Sequence, residues 1–437
     1  MAFFICLVLK LVGAWFLITG IAGLLLRMPK YRRAEPGTRF AYLIPARNEE
    51  AVIHRPVASL LAQDYPRELF EVFVLPNNCT DRTAAAASAA GAEIITIRGP
   101  VRYKGDVLGQ ALRDPRLDGF DAICVFDADN VAAPDYLARM NDAFSAGACV
   151  AKGRLRVLNA RDSAVAGCYA LYFGIFDWFF NRSRAALSMS AKLVGTGFAV
   201  SLSFLNKAGG WNTGTLAEDA EFSALCAELG EKVWWVPEAV SFDEAPLSFG
   251  ESLKQRKRWC SGIMEVARLR ALALFSAAAS GSLTLAGMSR RGAVTKDWRR
   301  AVRAFDGAMF LCSPFAQALS PIPPMAALIG IVQSGTAAAA AACAVYLIGL
   351  WVCMTFFGGL VALLSGYRDA RMLKSVLLFP LFMASWVPLQ IVSLFRRTEK
   401  WEVLRHGAGS YEAGHYCAGS RRPAPKAQCS IINCKKM

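Results

Sequence analysis

The chain has 437 residues, room for about two or three domains, with 55% hydrophobic and 19% charged side chains. Its net charge of +15 suits a protein that handles phosphates beside an anionic membrane face, and its long apolar stretches argue against nucleic acid as the partner. The 13 cysteines contain no C-x-x-C pair and only three histidines accompany them, which argues against a zinc site or a disulfide scaffold and favours reduced thiols.

Residues 1–27 are predicted to form an N-terminal transmembrane anchor. The apolar run 3–26 is long enough to cross a bilayer, and Lys10 is its only charge. The basic segment RMPKYRR follows directly, and such a flank belongs on the cytoplasmic side. A cleaved signal peptide is the alternative, which the internal charge and the basic cluster both oppose. We therefore expect an uncleaved anchor with its amino terminus outside.

From residue 38 the pattern changes to alternating strands and helices. Strands are predicted at 40–46, 71–76, 93–97, 122–126, 148–152 and 233–237. Segments with helical apolar spacing lie between them, at 48–63, 80–92 and 134–144. This alternation predicts an α/β domain with a parallel sheet and crossover helices. No G-x-G-x-x-G or Walker sequence is present, so the usual dinucleotide and P-loop interpretations fail.

The fourth predicted strand ends in two carboxylates, Asp127 and Asp129. Side chains two residues apart on an extended segment point the same way, and ligands gather at the carboxyl ends of parallel strands. Both carboxylates could therefore hold one divalent cation that completes its shell with water and substrate phosphates. The alternative is a strand end followed by a helix cap, where Asp and Asn are common.

Two further stretches contain polar groups at the start of an element. Gly195 and Gly197 flank Thr196 and allow close backbone approach in a turn. Glu218 and Asp219 open an apolar helix, where acidic side chains often serve only to complement the helix dipole.

Aromatic and cationic runs follow. The aromatic segment 165–187 is more typical of a core, or of a face resting on the membrane, than of a cofactor site. Four cations lie within residues 254–258, in a predicted helix at 251–269. Such a run is usually a solvated helix face, but Trp259 directly behind it is uncommon for that interpretation.

The last third of the chain is predicted to lie at or in the membrane. We expect amphipathic interface helices at 271–304 and transmembrane or re-entrant helices at 305–396, with apolar stretches 307–333, 337–365 and 375–395. Both segments that flank 375–395 are basic, so a full span there would place one on the wrong side. Pro380 and Pro388 favour re-entrance. Residues 397–437 are predicted to be a basic cytoplasmic segment and a disordered tail.

The motifs IPARNEE, DAD, LAEDAEF and QRKRW follow one another in this order. In that order they resemble the membrane-integrated family 2 glycosyltransferases, the group that includes cellulose, chitin, hyaluronan and poly-N-acetylglucosamine synthases. The resemblance covers about residues 38–270 and, through the membrane layout, most of the chain. It implies a GT-A type, Rossmann-like α/β domain with a parallel or mixed sheet. This cytoplasmic domain would be inserted between an N-terminal transmembrane helix and C-terminal transmembrane helices.

The resemblance also implies how a nucleotide sugar is bound. The matching segments IPARNEE, NNCTDRT, YKG, DAD and Q-x-x-R-W implicate Pro45, Arg47, Glu49, Asn77, Asn78, Asp81, Lys104, Asp127, Gln255 and Arg258. Asn77 and Asn78 stand where the family usually has a carboxylate for the nucleoside, but amides can also pair with a uracil edge.

The same resemblance assigns the metal and the base. Mg²⁺ or Mn²⁺ would lie on Asp129, with Asp127 beside it near the nucleotide sugar. Asp219 would be the general base and Glu218 a neighbour that sets its environment, and Ala217 replaces the family's threonine. The acceptor would be bound by Gly195, Thr196, Gly197 and Trp259. Trp401 and His406 resemble a cytoplasmic element that follows the membrane region.

Together these roles predict an inverting, metal-dependent glycosyltransferase that builds a β-linked polysaccharide processively from a UDP-sugar. Transfer of a single sugar to a lipid acceptor is the alternative, and a non-catalytic nucleotide-sugar sensor is a hypothesis from another class. Expected partners are the nucleotide-sugar donor, the growing polysaccharide or lipid acceptor, membrane lipids and a second copy in a homo-oligomer, but no nucleic acid. We expect a multi-pass protein of the plasma membrane with a cytoplasmic catalytic domain.

Overall fold

The computed structural model describes residues 2–287, 294–334 and 337–396. Its strands are β1 Phe40–Ala46, β2 Phe70–Pro76, β3 Glu93–Ile94, β4 Ala122–Val125, β5 Val131–Ala132, β6 Val150–Val157, β7 Phe198–Ser201 and β8 Val233–Asp243. Its helices are α1 Ala2–Leu25, α2 His54–Leu61, α3 Thr83–Ala89, α4 Lys104–Ala111, α5 Tyr136–Ser145, α6 Ala164–Ile175, α7 Arg182–Ala186, α8 Leu202–Lys207, α9 Glu218–Glu228, α10 Phe249–Gly287, α11 Val294–Leu319, α12 Ile322–Ser334, α13 Ala337–Leu364, α14 Leu373–Ala384 and α15 Trp386–Phe395. A π-helical turn, Phe176–Asn181, joins α6 to α7.

The strands form one sheet in the order β3-β2-β1-β4-β7-β6-β8-β5. The half formed by β1 to β4 is parallel, as predicted. The other half is mixed, because β7 runs antiparallel to both β4 and β6, and β5 runs antiparallel to β8. A hydrogen bond of 2.9 Å from Gly197 N to Val125 O begins the antiparallel pairing where β4 ends. The wholly parallel sheet is therefore wrong in this half, and the mixed sheet of the GT-A expectation is confirmed.

The central strands are continuous apolar runs because both of their faces are covered. In β1, Phe40, Tyr42 and Ile44 pack into one core, and Ala41 and Leu43 pack into a second core on the other face. All five are completely buried. Burying a large apolar side chain contributes roughly 1.5–3 kcal/mol, so these two cores hold the strand ends in place on both sides of the sheet.

Several predicted element boundaries change. The helix predicted at 48–63 begins only at His54, because the preceding residues form a turn in which Asn48 has a φ of +58°. The strand predicted at 93–97 extends only from Glu93 to Ile94. The helix predicted at 251–269 is much longer, and the predicted domain boundary at residue 270 falls inside α10.

Within the described residues, four helical segments are long and apolar enough to cross a membrane: Phe3–Leu25, Trp298–Ile331, Ala337–Leu364 and Ala370–Phe395. In the first three, only 11%, 17% and 17% of the most apolar window is buried, so most of their apolar surface faces outward. The fourth differs, since 33% of its window is buried and the helix breaks at Ser385 into α14 and α15. These two short helices pack along α6 and α10. Re-entrance of this segment stays a prediction, and the predicted tail 397–437, with Trp401 and His406, lies outside the described residues.

A buried ion pair joins α7 to α11, and the N-terminal helix α1 is hydrogen-bonded to it. Arg184 Nη2 donates to Asp306 Oδ1 at 2.9 Å, and Trp15 Nε1 of α1 donates to the same oxygen at 2.9 Å. Arg184 and Asp306 are both completely buried. Because a buried charge that loses its partner is strongly destabilising, this contact fixes α1 and α11 against α7.

Candidate active site

Lys104, the first residue of α4, lies at the centre of the predicted site. Its Nζ donates to Asp127 Oδ1 at 2.5 Å and to Gly195 O at 2.7 Å, and lies 3.3 Å from Glu218 Oε1. Burial opposes the charge on Lys104, but the carboxylates of Asp127 and Glu218 outweigh burial and raise the pKa of Lys104. The ammonium group of Lys104 thus joins three motifs that are distant in sequence, and its predicted contact with the nucleotide stays a prediction.

Glu218 is buried beside this lysine. Burial raises the pKa of Glu218 to about 7, although Lys104 opposes the shift and Asp219 adds to it. Glu218 can therefore carry a proton at neutral pH, unlike an ordinary glutamate. The role of Glu218 as a neighbour that sets the environment of Asp219 stays a prediction.

The turn at residues 195–197 is held from several sides. Gly195 N donates to Asp219 Oδ2 at 2.6 Å, and Asp127 N donates to Thr196 Oγ1 at 3.1 Å. Gly195 and Gly197 have φ values of +53° and +62°, in the left-handed region that favours glycine. A Cβ on Gly197 would lie 2.3 Å from Ser241 Oγ, so no larger residue fits there.

Lys152 of β6 supports the same turn from beneath. It is almost completely buried, and its Nζ donates to Thr196 O at 2.8 Å and to Gly197 O at 3.3 Å. Burial lowers the pKa of Lys152 to about 8, although Asp177, Asp219 and other carboxylates oppose the shift. The turn at residues 195–197 thus lies between Lys104 and Lys152.

The D-x-D residues lie in a turn. Strand β4 ends at Val125, and Asn130 N donates to Asp127 O at 3.2 Å. The premise that Asp127 and Asp129 project from an extended segment is therefore wrong, because the chain must turn to leave the sheet. Both carboxylates nevertheless lie near a third. Burial, together with the charges of Asp129 and Asp127, raises the pKa of Asp243 well above its usual value.

This acidic turn fits a divalent cation. Asn130 Nδ2 donates to Asp243 Oδ1 at 2.8 Å, while Asn130 Oδ1 is buried without a hydrogen-bond partner among the described residues. In the part of the chain that the structure describes, no three acidic, cysteine or histidine side chains converge as a complete cage. One or two carboxylates completed by water and substrate phosphates are what Mg²⁺ prefers. Asp129 and Asp127 are the residues that would hold it.

The predicted nucleotide-binding loops lie at the ends of β1 and β2. Thr80 N donates to Asn48 Oδ1 at 2.8 Å, and Glu50 N donates to Asp81 Oδ2 at 3.0 Å, so the two loops are fastened to each other. Hydrogen bonds from Thr83 and from Glu50 lower the pKa of Asp81 in spite of its burial. These contacts give Asp81 a structural role that the motif comparison did not specify.

The remaining predicted residues of these loops lie at the same edge of the sheet. Pro45 is the sixth residue of β1, Arg47 is exposed and Glu49 is half-buried. Asn77 Nδ2 donates to Ala46 O at 3.0 Å, and Asn78 has a φ of +48°. The loops therefore bring together the predicted nucleotide contacts.

Helix α10 contains the Q-x-x-R-W residues. Gln255, Arg258 and Trp259 are all half-buried, and Gln255 Oε1 is a buried atom without a hydrogen-bond partner among the described residues. Trp259 lies in a cluster of aromatic rings, 6.2 Å from Trp386 and 6.5 Å from Tyr172 between ring centroids. The indole of Trp259 thus belongs to an aromatic wall formed by α6, α10 and α15.

Arg256, one of the variable positions of Q-x-x-R-W, fastens α10 to the break between α14 and α15. It is completely buried and donates to Phe382 O at 3.0 Å and to Ser385 Oγ at 2.8 Å. Its guanidinium carbon lies 4.2 Å from the centroid of the Phe382 ring. The cationic run 254–258 is therefore not wholly a solvated helix face, because Arg256 packs against the Phe382 ring.

Sequence reasoning missed the buried polar residues that support the site: Asn130, Lys152, Asp243 and Arg256. The lysine at the end of the predicted strand 148–152 was the one visible signal, since an unpaired buried charge is costly. Asn130, Asp243 and Arg256 could be recognised only from the structure, in which β8 and α14 lie beside the motif residues.

A mixed sheet with an acidic D-x-D turn, a facing acidic helix start and a cationic helix defines a glycosyltransferase domain of the GT-A type. The sequence profile described as "Glycosyltransferase like family 2" matches residues 36–262, more than half of the chain. The chain belongs to this family.

Known proteins resemble the chain in sequence and in fold. The probable glycosyltransferase YdaM of Bacillus subtilis is 31% identical over 246 residues, which are 54% of this chain and 58% of that protein. The beta-monoglucosyldiacylglycerol synthase of a Synechocystis strain is 28% identical over 239 residues, 52% of this chain and 48% of that protein. The chain thus spans about half the length of these curated relatives. The mannosyltransferase PcManGT of Pyrobaculum calidifontis, solved with GDP-Man and Mn²⁺, shares the fold: the TM-score is 0.55 at 19% identity, over 88% of this chain and 99% of that one.

Proposed function

We propose that the protein is an inverting, metal-dependent glycosyltransferase that uses a nucleotide diphosphate sugar, in the first instance a UDP-sugar, and an acceptor presented at the membrane. The observation on which this rests is the hydrogen-bonded cluster of Lys104, Asp127, Gly195 and Asp219. This cluster joins the donor, acceptor and base motifs within one network. The Mn²⁺ in the PcManGT structure supports the choice of a divalent cation.

The proposed chemistry begins with the base. Asp219 Oδ2 is engaged by Gly195 N, while Asp219 Oδ1 makes no hydrogen bond to the described residues. This arrangement orients the carboxylate and leaves one oxygen to accept the proton of an attacking hydroxyl. Because one base acts and no second carboxylate serves as nucleophile, displacement is direct and inverts the anomeric carbon. A β-linked product then follows from an α-linked donor.

The leaving nucleoside diphosphate carries developing negative charge. A divalent cation held by Asp129 and Asp127 supplies positive charge there when it is bound. Arg258 is proposed to contact the same diphosphate, since a guanidinium matches phosphate oxygens in two bonds. Lys104 holds Asp127 in place but is already engaged with protein atoms, so it positions the site rather than contacting the donor.

The choice of nucleobase in the donor rests on Asn77. Its Nδ2 is used by Ala46 O, and its Oδ1 makes no hydrogen bond in the described part of the chain. The oxygen can accept from the ring N–H of uracil. This supports a UDP-sugar as the first donor to test.

A membrane lipid is the acceptor that we favour. Extrusion of a polymer needs helices packed around a lumen, but three of the four candidate spans bury only 11% to 17% of their apolar windows in a single chain. The relative named as a monoglucosyldiacylglycerol synthase makes a glycolipid by its name, which supports the same class of acceptor. Transfer of single sugars to a lipid hydroxyl needs no lumen.

Synthesis of a β-linked polysaccharide is the second candidate. The complete Q-x-x-R-W sequence and the position of Trp259 in an aromatic wall favour it, since a flat indole face tolerates repeated docking of each new chain end. With so little packing between the described spans, extrusion would require a homo-oligomer or a partner.

Purified full-length protein, Mn²⁺ or Mg²⁺, and a panel of UDP-, GDP- and ADP-sugars would test the proposal. We expect nucleoside diphosphate release with one UDP-sugar and a labelled product that extracts into organic solvent with the lipid. A high-mass product would establish the polysaccharide instead. The proposed transferase activity would be overturned if no donor released its nucleoside diphosphate while the wild type and Asp219→Asn bound UDP equally. The protein would then be a nucleotide-binding protein without transfer activity.

A further inference from the structure

A cavity lies where the glycosyltransferase domain meets the end of a candidate membrane span. It is bounded by the last half of β6, by α6 with its π-helical turn, and by the residues that follow α13. Its volume is ≈ 40 Å³, space for roughly three water molecules or a small polar group. None of the residues that line it belongs to the active site described above.

Arg154 provides unused hydrogen-bond donors in this cavity. Its guanidinium makes no hydrogen bond to the described residues; Nε is buried and lies 3.5 Å from Asp177 Oδ2 as an ion pair only. A shift in strand register between Gly153 and Arg154 alters the direction of the strand at this point, as bulges do near functional sites. Buried polar groups are normally hydrogen-bonded, so this arginine calls for a ligand.

Two neighbours extend the polar lining. Arg156 Nη2 donates to Ser365 O at 3.3 Å, and its guanidinium carbon lies 5.6 Å from the centroid of the Tyr367 ring. Ser365 Oγ is also buried without a hydrogen-bond partner among the described residues. Two guanidinium groups face one carboxylate, that of Asp177, so the cavity favours an anion. Guanidinium groups match phosphate oxygens better than they match other simple anions.

The position of the cavity indicates where that anion comes from. Helix α13, a candidate membrane span, ends at Leu364 directly beside the cavity. Trp178 and Tyr367 line it, and such side chains are enriched at membrane–water interfaces. One turn earlier on α13, Leu360 and Leu363 are exposed, so apolar surface continues from the cavity along the span.

We propose that Arg154 and Arg156 bind the phosphate of an anionic phospholipid whose acyl chains lie along the exposed face of α13. Basic pockets beside membrane helices are known to hold such headgroups. The site is separate from the glycosyl-transfer centre and would anchor the catalytic domain to an anionic membrane whichever acceptor the enzyme uses.

Native mass spectrometry of the full-length protein in a neutral detergent tests this proposal with phosphatidylglycerol, phosphatidylcholine and inorganic phosphate as probes. We expect the wild type to retain one phosphatidylglycerol molecule in preference to phosphatidylcholine. Arg154→Gln should weaken retention by about tenfold, the effect of removing one charge-assisted hydrogen bond. Arg154→Lys, which keeps the charge, should recover part of it.

Arg368→Gln is the matched control. Arg368 is exposed in the loop that follows α13, close in sequence to Ser365 and Tyr367, but it does not line the cavity. It removes the same charge and should leave retention unchanged. Equal retention by Arg154→Gln and wild type, at unchanged thermal midpoint, would overturn the proposal. Displacement of the lipid by millimolar inorganic phosphate would also overturn it, since the site would then take free phosphate.

Discussion

Asp219 and Gly195 are joined by a hydrogen bond of 2.6 Å between a carboxylate oxygen and a backbone amide. The proposed base is therefore attached to the turn that is proposed to bind the acceptor. The carbonyl of the same glycine accepts from Lys104, which also holds Asp127. A single glycine thus fixes the position of Asp219 relative to the D-x-D turn. Sugar transfer requires such preorganised positions.

Asp219→Asn should abolish transfer and preserve donor binding. The asparagine carbonyl can still accept from Gly195 N, so the turn keeps its geometry, but the amide cannot take a proton at neutral pH. Loss of a positioned base costs about 10²- to 10⁴-fold in rate. Product formation and calorimetric UDP binding in Mn²⁺ measure the two effects separately. Loss of UDP binding in this variant would instead assign Asp219 a structural role.

Lys104→Met should destabilise the protein and weaken donor binding together. The side chain is 4% exposed, and its removal leaves the carboxylates of Asp127 and Glu218 without their shared cation. Lys104 and Glu218 are both buried, so removing the cation leaves a buried carboxylate unpaired and is destabilising, even though Asp127 is 37% exposed. Thermal unfolding in detergent should show a clear decrease, while Lys207→Met, at an exposed position of α8, should unfold like the wild type.

The sequence predicted six of the eight strands and the order of the motifs because these depend on local patterns, but β5 and β7 were not predicted. Apolar runs such as residues 40–46 are buried on both faces whatever the rest of the chain does, and the structure confirms that strand. The direction of β7 was not predictable from apolar spacing, because a short buried strand reads the same in either direction. It is set by the turn at 195–197, whose bonds to Asp219 and Lys152 join distant parts of the chain.

Part of the hydrogen-bonded network was predictable from the sequence, but its supporting residues and its geometry were not. Asp127, Gly195 and Asp219 were expected to work together and do lie in one network. The extended geometry assumed for the D-x-D carboxylates was wrong, since a turn follows β4. The unpartnered oxygen of Asn130 and the buried Asp243 belong to tertiary contacts that no spacing rule encodes.

Gly197→Ala should reduce activity more than an alanine substitution at another glycine with a positive φ. Residue 197 has a positive φ, and the new methyl group would also collide with Ser241 Oγ. Gly147→Ala is the matched control, because Gly147 has a φ of +100° but nothing lies within 4 Å of a Cβ there. Backbone strain costs roughly 1–3 kcal/mol in both variants, so both should lose stability. Only Gly197→Ala should lose transfer by tenfold or more, and adding Ser241→Gly should restore part of it. Equal activity of the two single variants would contradict a demand for glycine at the turn.

Retention of phosphatidylglycerol should decrease as the pH rises through about 7. Burial raises the pKa of Asp177 to about 7, although Arg154, Lys152 and Arg156 of β6 oppose the shift; Tyr367, from the loop after α13, also faces the group. Below this pH the carboxyl is protonated and the cavity is more positive; above it, a negative charge faces the lipid phosphate. Affinity measured at pH 6 and pH 8 should therefore differ several-fold in the wild type and be nearly constant in Asp177→Asn. A wild-type affinity that is constant over this interval would show that Asp177 does not face the bound phosphate.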